Sequence, residues 1–154
     1  LYIANDLDVS EGGRSLENAK ALTTNRRSLY YETYPEDGGA NPLAELFDAP
    51  NPFECYSRTR TIVPQQALAL TNSDFVHQVA QKTALRIEEL LGSGSDKLLQ
   101  DRSYVQMAYL VVLSRSPSAE ESSKCASFLA SYGDNARAGL IRVLINHNDF
   151  VSIQ

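Results

Sequence analysis

The pattern of hydrophobic and polar positions changes near residue 64. From Pro64 onward apolar residues recur with a period near 3.6, the repeat of an α-helix. The first such stripe consists of positions 68, 75, 76, 79, 80, 84, 87, 90 and 91. Pro64 suits the first turn of a helix. The sequence TNSD at 71–74 offers helix caps, which leaves open one helix or two joined at a bend.

Three more helices are predicted after the sequence GSGSD, at about 97–114, 119–132 and 135–147. Ser118 and Glu121 have the spacing of a capping box at the start of the 119–132 helix. The side chains predicted to be buried are Leu98, Val105, Ala108, Tyr109 and Val112, then Cys125, Phe128, Leu129 and Tyr132, then Leu140, Ile141, Leu144 and Ile145. Short connections predict antiparallel neighbours.

The first 60 residues have a different composition. They contain EGGRS, EDGGANP and DAPNPF, whose glycine and proline steps mark turns, and a short helix is predicted near 42–49. Long irregular segments are uncommon in an isolated domain, which points to a missing partner surface. The prediction is a mainly α protein, in which a loop-rich segment 1–60 wraps a bundle of about four to five helices, 61–154. The chain reads as one domain, a C-terminal fragment of a larger protein.

Charge and composition exclude some partners. The 154 residues carry a net charge of −5, so nucleic acid is not expected to bind. No apolar run approaches the roughly 18 residues that a membrane span needs, so the chain is not expected to be membrane-embedded. A local excess of positive charge could hold one anion or pair with nearby acids. Its arginines are Arg26, Arg27, Arg58 and Arg60, and the acids are Glu45, Asp48 and Glu54.

No residue set in the chain spells out a reaction. Cys55 and Cys125 could form a disulfide or remain separate thiols, and their spacing does not decide. His77 and His147 have carboxylates nearby in sequence but no nucleophile elbow, so no catalytic residue is predicted. The Glu-Glu pairs at 88–89 and 120–121 are expected on exposed helix faces, and no metal-binding motif is present.

The stretch SRTRTIVPQQAL contains the candidate binding residues. Arg58 and Arg60 alternate along an extended approach and so point to one side, while Gln65 and Gln66 lie in the first helical turn. Guanidinium groups, amides and a helix N-terminus suit a carboxylate, a sulfate or sugar hydroxyls. In the preferred interpretation, Arg58 and Arg60 instead fasten the irregular half to the bundle through backbone carbonyls and Asp48.

Two short segments echo each other. LTNSDFV at 70–76 is similar to INHNDFV at 145–151, which lies 75 positions further along. A repeat at this spacing would consist of two helical hairpins. A common Asn or Asp cap followed by an anchoring aromatic residue explains the similarity as well, and is the preferred interpretation.

Four blocks follow one another in an order that resembles a known family. They are RRSLYYETY, PLAELFDAPNPFECYSRTRTIVPQQALALTNSDFV, AYLVVLSRSPSAEE and LIRVLINHNDFV. Together they resemble domain of unknown function 1553, the C-terminal region of large planctomycete cytochrome C-type proteins, from about residue 12 to the end. The most specific part is FDAPNP followed by RTRTIVPQQALALTNSDFV. Ser114 departs from the family, which commonly has glycine there, and this concerns a helix ending rather than chemistry.

The resemblance implies a multidomain bacterial protein that is periplasmic, envelope-associated or extracellular. Haem c is then expected in an upstream domain, with no cofactor in this segment. The partners are upstream domains of the same chain or another subunit, and a glycan is a further candidate, linked to polysaccharide use. The predicted function is a non-catalytic interaction or scaffold module. The alternative is part of the substrate cleft of an oxidoreductase or glycan-acting enzyme, whose catalytic residues lie upstream.

Overall fold

A computed structural model describes residues 1–20, 23–32, 64–92 and 97–151. The chain divides into two compact units. The larger unit combines Leu1–Asn5 with Leu70–Gln154, and the smaller unit is Asp6–Ala69. The short helix predicted near 42–49 lies outside the described residues, and the predicted division of the chain near residue 60 stays a prediction.

The described residues form helices and no strand, which confirms the mainly α fold class. The six α-helices of the described residues are α1 Pro64–Asn72, α2 Asp74–Leu91, α3 Lys97–Leu113, α4 Ala119–Tyr132, α5 Ala136–Ile145 and α6 Asn148–Val151. Short 3-10 helices occur at Tyr2–Ala4, Asn18–Lys20, Ser28–Tyr30 and Gly133–Asn135. None of the described helices has the length and apolarity that crossing a bilayer requires.

The core of the larger unit lies between helices that contact each other in pairs. Helix α2 packs against α3 and α5, and α4 packs against the same two helices. The buried hydrophobic residues are Val76, Val79, Ala80, Ala84, Ile87, Tyr104, Val105, Ala108, Tyr109, Val112, Leu129, Ala136, Leu140, Ile141, Leu144 and Ile145. The faces predicted for α3 and α5 are therefore confirmed, apart from one position at the start of α3.

Four residues on the predicted apolar faces are exposed. Leu98 is 66% exposed and Tyr132 is 69% exposed, and Leu68 and Leu90 are also open to solvent. Leu98 lies in the first turn of α3, and Tyr132 and Leu90 lie in the last turns of α4 and α2. Periodicity identifies which face of a helix is apolar, but not how far the neighbouring helix extends along it. The predictions therefore failed mainly at helix ends.

The helix boundaries follow from local backbone chemistry. Ser73 is extended, with ψ 126°, between the end of α1 and the start of α2, so of the two arrangements left open by the sequence the structure has two helices joined at a bend. Helix α3 ends where Ser114 adopts a left-handed conformation with φ 56°. Helix α4 starts with the predicted capping box, since Ser118 Oγ accepts from Glu121 N and the Glu121 carboxylate accepts from Ser118 N.

The first five residues belong to the bundle. Arg86 on α2 donates from Nη1 to the carbonyl oxygens of Tyr2 and Ile3, at 3.4 and 2.9 Å. The side chains of Leu1, Ile3 and Ala4 pack against the buried core. The chain therefore contributes to the bundle before it enters the smaller unit.

The described part of the smaller unit is organised by Arg26. Its Nη2 donates to the carbonyl oxygens of Ser10 and Gly12, at 3.0 and 2.8 Å, and its guanidinium lies 3.9 Å from the ring centroid of Tyr30. Asp8 pairs with Arg26 Nε at 3.7 Å. Arg26 therefore interacts with the segment between residues 8 and 12. Its pairing with Glu45, Asp48 or Glu54 stays a prediction, because those acids lie outside the described residues.

Replacing Ser114 by glycine is expected to stabilise the chain. A left-handed conformation costs a non-glycine residue about 1–2 kcal/mol, whereas glycine adds about 0.5–1 kcal/mol of backbone entropy cost. We therefore expect the free energy of unfolding to rise by about 0.5–1 kcal/mol, measured by urea denaturation. Ser116→Gly is the matched control, because Asn5 and Ser114 are the non-glycine residues with positive φ in the described chain. An equal loss of stability in both variants would contradict the explanation.

Candidate functional site

The structure leaves most of the predicted binding residues untested. Asp48, Arg58 and Arg60 lie outside the described residues, so both the ligand-binding role and the fastening role stay predictions. Gln65 and Gln66 are in the first turn of α1, as expected from Pro64, and Gln66 is partly buried. The side chain of Gln65 is outside the described set.

A group of side chains meets around Arg115, in the connection between α3 and α4. The Arg115 cluster consists of Tyr109, Arg115, Ser118, Glu121 and Asp149. Arg115 Nη1 and Nη2 donate to the two carboxylate oxygens of Glu121, at 3.0 and 2.8 Å. Arg115 Nε donates to Asp149 Oδ2 on α6 at 2.6 Å. The guanidinium also lies 5.2 Å from the ring centroid of Tyr109 on α3. Three helices are thereby joined to one connection.

Glu121 has two structural roles in this cluster. Its carboxylate completes the capping box of α4 through Ser118 N at 2.7 Å, and it holds the guanidinium of Arg115. Hydrogen bonds from Arg115, and then from the backbone of Ser118, lower the pKa of Glu121 to about 2 from an ordinary 4.5. The same contact with Glu121, and then that with Asp149, raises the pKa of Arg115. Both groups are therefore charged at neutral pH.

Cys125 contacts the same region without the properties of a reactive thiol. Its Sγ lies 3.8 Å from the hydroxyl of Tyr109, and the thiol is free. Burial raises the pKa of Cys125, and burial followed by the contact with Cys125 raises the pKa of Tyr109. A thiol acts as a nucleophile in its thiolate form, which a raised pKa disfavours. Of the two alternatives left open by the sequence, Cys125 is therefore a separate thiol. Cys55 lies outside the described residues.

A second group joins three helices through Arg137. The Arg137 cluster consists of Glu88 on α2, Asp101 and Tyr104 on α3, and Arg137 on α5. Arg137 Nη1 lies 2.9 Å from Glu88 Oε1, and Nη2 lies 3.4 Å from Asp101 Oδ1. The guanidinium lies 4.9 Å from the ring centroid of Tyr104, which is fully buried. Burial, and then the charge of Glu88, raises the pKa of Tyr104.

The two echo segments contact each other. Each forms a junction between helices, α1 with α2 and α5 with α6. Thr71 and Asn146 occupy equivalent positions in the two segments, and Thr71 Oγ1 donates to Asn146 Oδ1 at 3.2 Å. Arg142 Nη2 donates to the carbonyl oxygen of Thr71 at 3.2 Å, where the His77 ring nitrogen Nε2 also lies at 3.2 Å. The similarity therefore coincides with a structural contact.

The expectation that both Glu-Glu pairs lie on exposed faces is half right. Glu89 and Glu120 are exposed, but Glu88 and Glu121 are partly buried in ion pairs with Arg137 and Arg115. A helix carries adjacent residues about 100° apart, so one member of a pair can face a neighbouring helix. In the described part of the chain, no three His, Cys, Asp or Glu side chains are grouped as metal ligands.

Sequence reasoning missed both arginine clusters. Arg115 and Asp149 are 34 positions apart, and Arg137 and Asp101 are 36 apart. Local patterns identify helices and caps, but they do not show which distant charges meet. The one available signal was Glu121, because a capping-box carboxylate next to an arginine-containing turn has a nearby cation to bind.

The structure defines the described part of the larger unit as a helical bundle whose helices are joined by partly buried ion pairs. A family model, PSD1, described as protein of unknown function (DUF1553), matches residues 1–129, and the chain belongs to this family. The match includes the Arg115–Glu121 pair and ends within α4. The block LIRVLINHNDFV lies beyond it. The comparisons found no match among curated proteins or solved structures.

Replacing Arg137 by methionine is expected to destabilise the bundle. The change keeps much of the side-chain volume but leaves Asp101, which is 9% exposed, without its charged partner. The free energy of unfolding should fall by about 2–3 kcal/mol in urea denaturation at neutral pH. Arg102→Met, on the exposed face of α3, is the matched control and should change it by less than about 0.5 kcal/mol. Equal effects of the two substitutions would show that the Arg137 cluster does not stabilise the bundle.

Glu121 is expected to contribute to acid sensitivity. Its pKa is about 2 when folded and ordinarily 4.5, so the unfolded chain binds more protons between these values. Its stabilising contribution is present above about pH 4.5 and is lost as the pH falls towards 2. Glu121→Gln should therefore lower stability at pH 7 and flatten its decline between pH 4.5 and 2, measured by denaturation at several pH values. Glu120→Gln, next to it in sequence, is the control, and an unchanged pH dependence in Glu121→Gln would refute the assignment.

Proposed function

We propose that the chain is a non-catalytic helical interaction or scaffold module of a larger bacterial protein. We take three exposed leucines, in the turns on either side of the connection between α2 and α3, as an apolar surface, and their exposure is the observation that supports the proposal most directly. Leu90 is 60% exposed in the last turn of α2, and Leu98 and Leu99 are 66% and 61% exposed in the first turn of α3. Burying such leucines against a partner is favourable, by about 1.5–3 kcal/mol for each fully buried side chain.

The charged groups of the described residues support a structural role. A carboxylate with a pKa of about 2, such as Glu121, is a weak proton acceptor at neutral pH and is not available as a proton donor. The partly buried thiol of Cys125 has a raised pKa and favours its protonated form. Arg115 and Arg137 are occupied by carboxylates from neighbouring helices. These side chains hold helices together, which suits a module that presents a surface.

The remaining parts of the proposal rest on the family resemblance. They are a position in the periplasm, the cell envelope or outside the cell, haem c in an upstream domain, and a link to the use of complex polysaccharides. The partner of the apolar surface is an upstream domain of the same chain or another subunit. The alternative function, a substrate cleft lined by Arg58, Arg60 and Gln65, stays a prediction because those side chains lie outside the described residues.

The first test is the denatured mass of the native protein that contains this chain. We expect a mass far above 17.0 kDa, which is the mass of these 154 residues. After proteolytic cleavage between the module and the rest, the two fragments should co-elute in gel filtration. A variant with Leu90→Gln, Leu98→Gln and Leu99→Gln should release the module, because these side chains supply the apolar contact.

The matched control is a second triple variant, which replaces exposed apolar residues outside the proposed surface. Leu85, Leu110 and Val143 are exposed on α2, α3 and α5, away from the ends that carry the proposed surface. Leu85→Gln, Leu110→Gln and Val143→Thr together should leave the fragments associated. A denatured mass near 17.0 kDa, or equal behaviour of the two triple variants in gel filtration, would count against the proposal.

A further inference from the structure

The last described helix, α6, contributes a single turn to the structure. It has four residues in the described part of the chain, and an isolated helical turn of this length does not persist in water. Within it, Phe150 N donates to the carbonyl oxygen of His147 at 2.9 Å, and Asp149 N donates to His147 Nδ1 at 3.2 Å. Its position therefore depends on contacts with α3 and α5, and on the ion pair between Asp149 and Arg115.

Arg115 is held in place without the help of α6. Both terminal nitrogens bind Glu121, Nη1 also donates to the carbonyl oxygen of Ser116 at 3.2 Å, and the guanidinium faces the ring of Tyr109. All of these partners come from the α3–α4 connection and its flanking helices. These hydrogen bonds use Nη1 and Nη2, so the Nε–H group is left to donate to another carboxylate, which is that of Asp149. The hydrogen-bond donor that binds α6 is thus in position before Asp149 arrives.

The ion pair that closes α6 is accessible to solvent. The side chains of Arg115 and Asp149 are 35% and 34% exposed. Among the described residues, the other charged or titratable groups at this place are Glu121, which already binds Arg115, Tyr109, whose ring faces Arg115, and His147. His147 Nδ1 is 3.5 Å from Asp149 Oδ2. An ion pair of this exposure contributes about 0.2–1 kcal/mol, and dissolved ions compete with it. The closing contact is therefore weak compared with the core beneath it.

We propose that α6 is a strap that closes on the preset guanidinium of Arg115 and opens while the bundle stays folded. Displacement of Asp149 from Arg115 Nε is the step that opens it. Opening would uncover the sides of α3 and α5 that α6 contacts. The device does not depend on the partner assigned above, because it uses residues 109–121 and 146–150 of the bundle alone.

Amide hydrogen exchange of the full chain, resolved by NMR, tests the strap. In Asp149→Asn the protection factor of the Phe150 amide should fall roughly two- to fivefold, as expected for loss of an exposed ion pair. The amides of Val105 and Ala108, inside α3, should keep their protection. Raising sodium chloride to about 1 M, where screening acts within about 3 Å, should have the same effect on the original chain but little on Asp149→Asn.

A control variant and two outcomes at named amides test the strap against alternative explanations. Glu120→Gln removes an exposed ion pair with Lys124 on α4 and should not change the Phe150 amide. Unchanged protection of Phe150 in Asp149→Asn would overturn the proposal. A parallel loss of protection at Val105 and Ala108 would also overturn it, because α6 would then open only with the whole bundle.

Discussion

The arrangement of the helices in the larger unit depends on the ion pairs of Arg137, whose guanidinium is partly buried. It meets Glu88 from α2 and Asp101 from α3, and it is itself part of α5. Removing a charge from water is costly, so a half-buried arginine favours arrangements in which carboxylates remain within reach. Hydrophobic contacts alone tolerate small shifts of one helix along another. The ion pairs restrict such shifts and select one register of the three helices.

Local and long-range order are coupled at Glu121. The carboxylate that caps the first turn of α4 is the same one that fixes Arg115, and Arg115 in turn contacts α6 and the ring of Tyr109. A helix start is usually a local matter, decided by a few neighbouring residues. Here the geometry of that start also determines where a guanidinium points. The short connection between α3 and α4 therefore affects the position of α6 as well as the start of α4.

Much of the bundle could be predicted from the sequence, because the governing forces are local. The bend at Ser73, the capping box at Ser118 and the apolar faces of α3 and α5 follow from spacing and residue type. The exposure of Leu98 and Tyr132 could not be predicted in this way, since it depends on where a neighbouring helix ends. The ion pairs of Arg115 and Arg137 could not be predicted either, because their partners are distant in sequence. For the candidate binding residues, Arg58 and Arg60, no comparison of sequence and structure is possible.

The packing of Leu1–Asn5 on the bundle makes the smaller unit an insertion in topological terms. The chain leaves the larger unit after Asn5 and returns to it at Leu70, so Asp6–Ala69 is attached at both ends to the same body. Two attachments confine an inserted segment more than one does. The contacts of Arg86 with Tyr2 and Ile3 hold the first attachment, so a cut within Asp6–Ala69 would leave both segments that flank the insertion on the bundle.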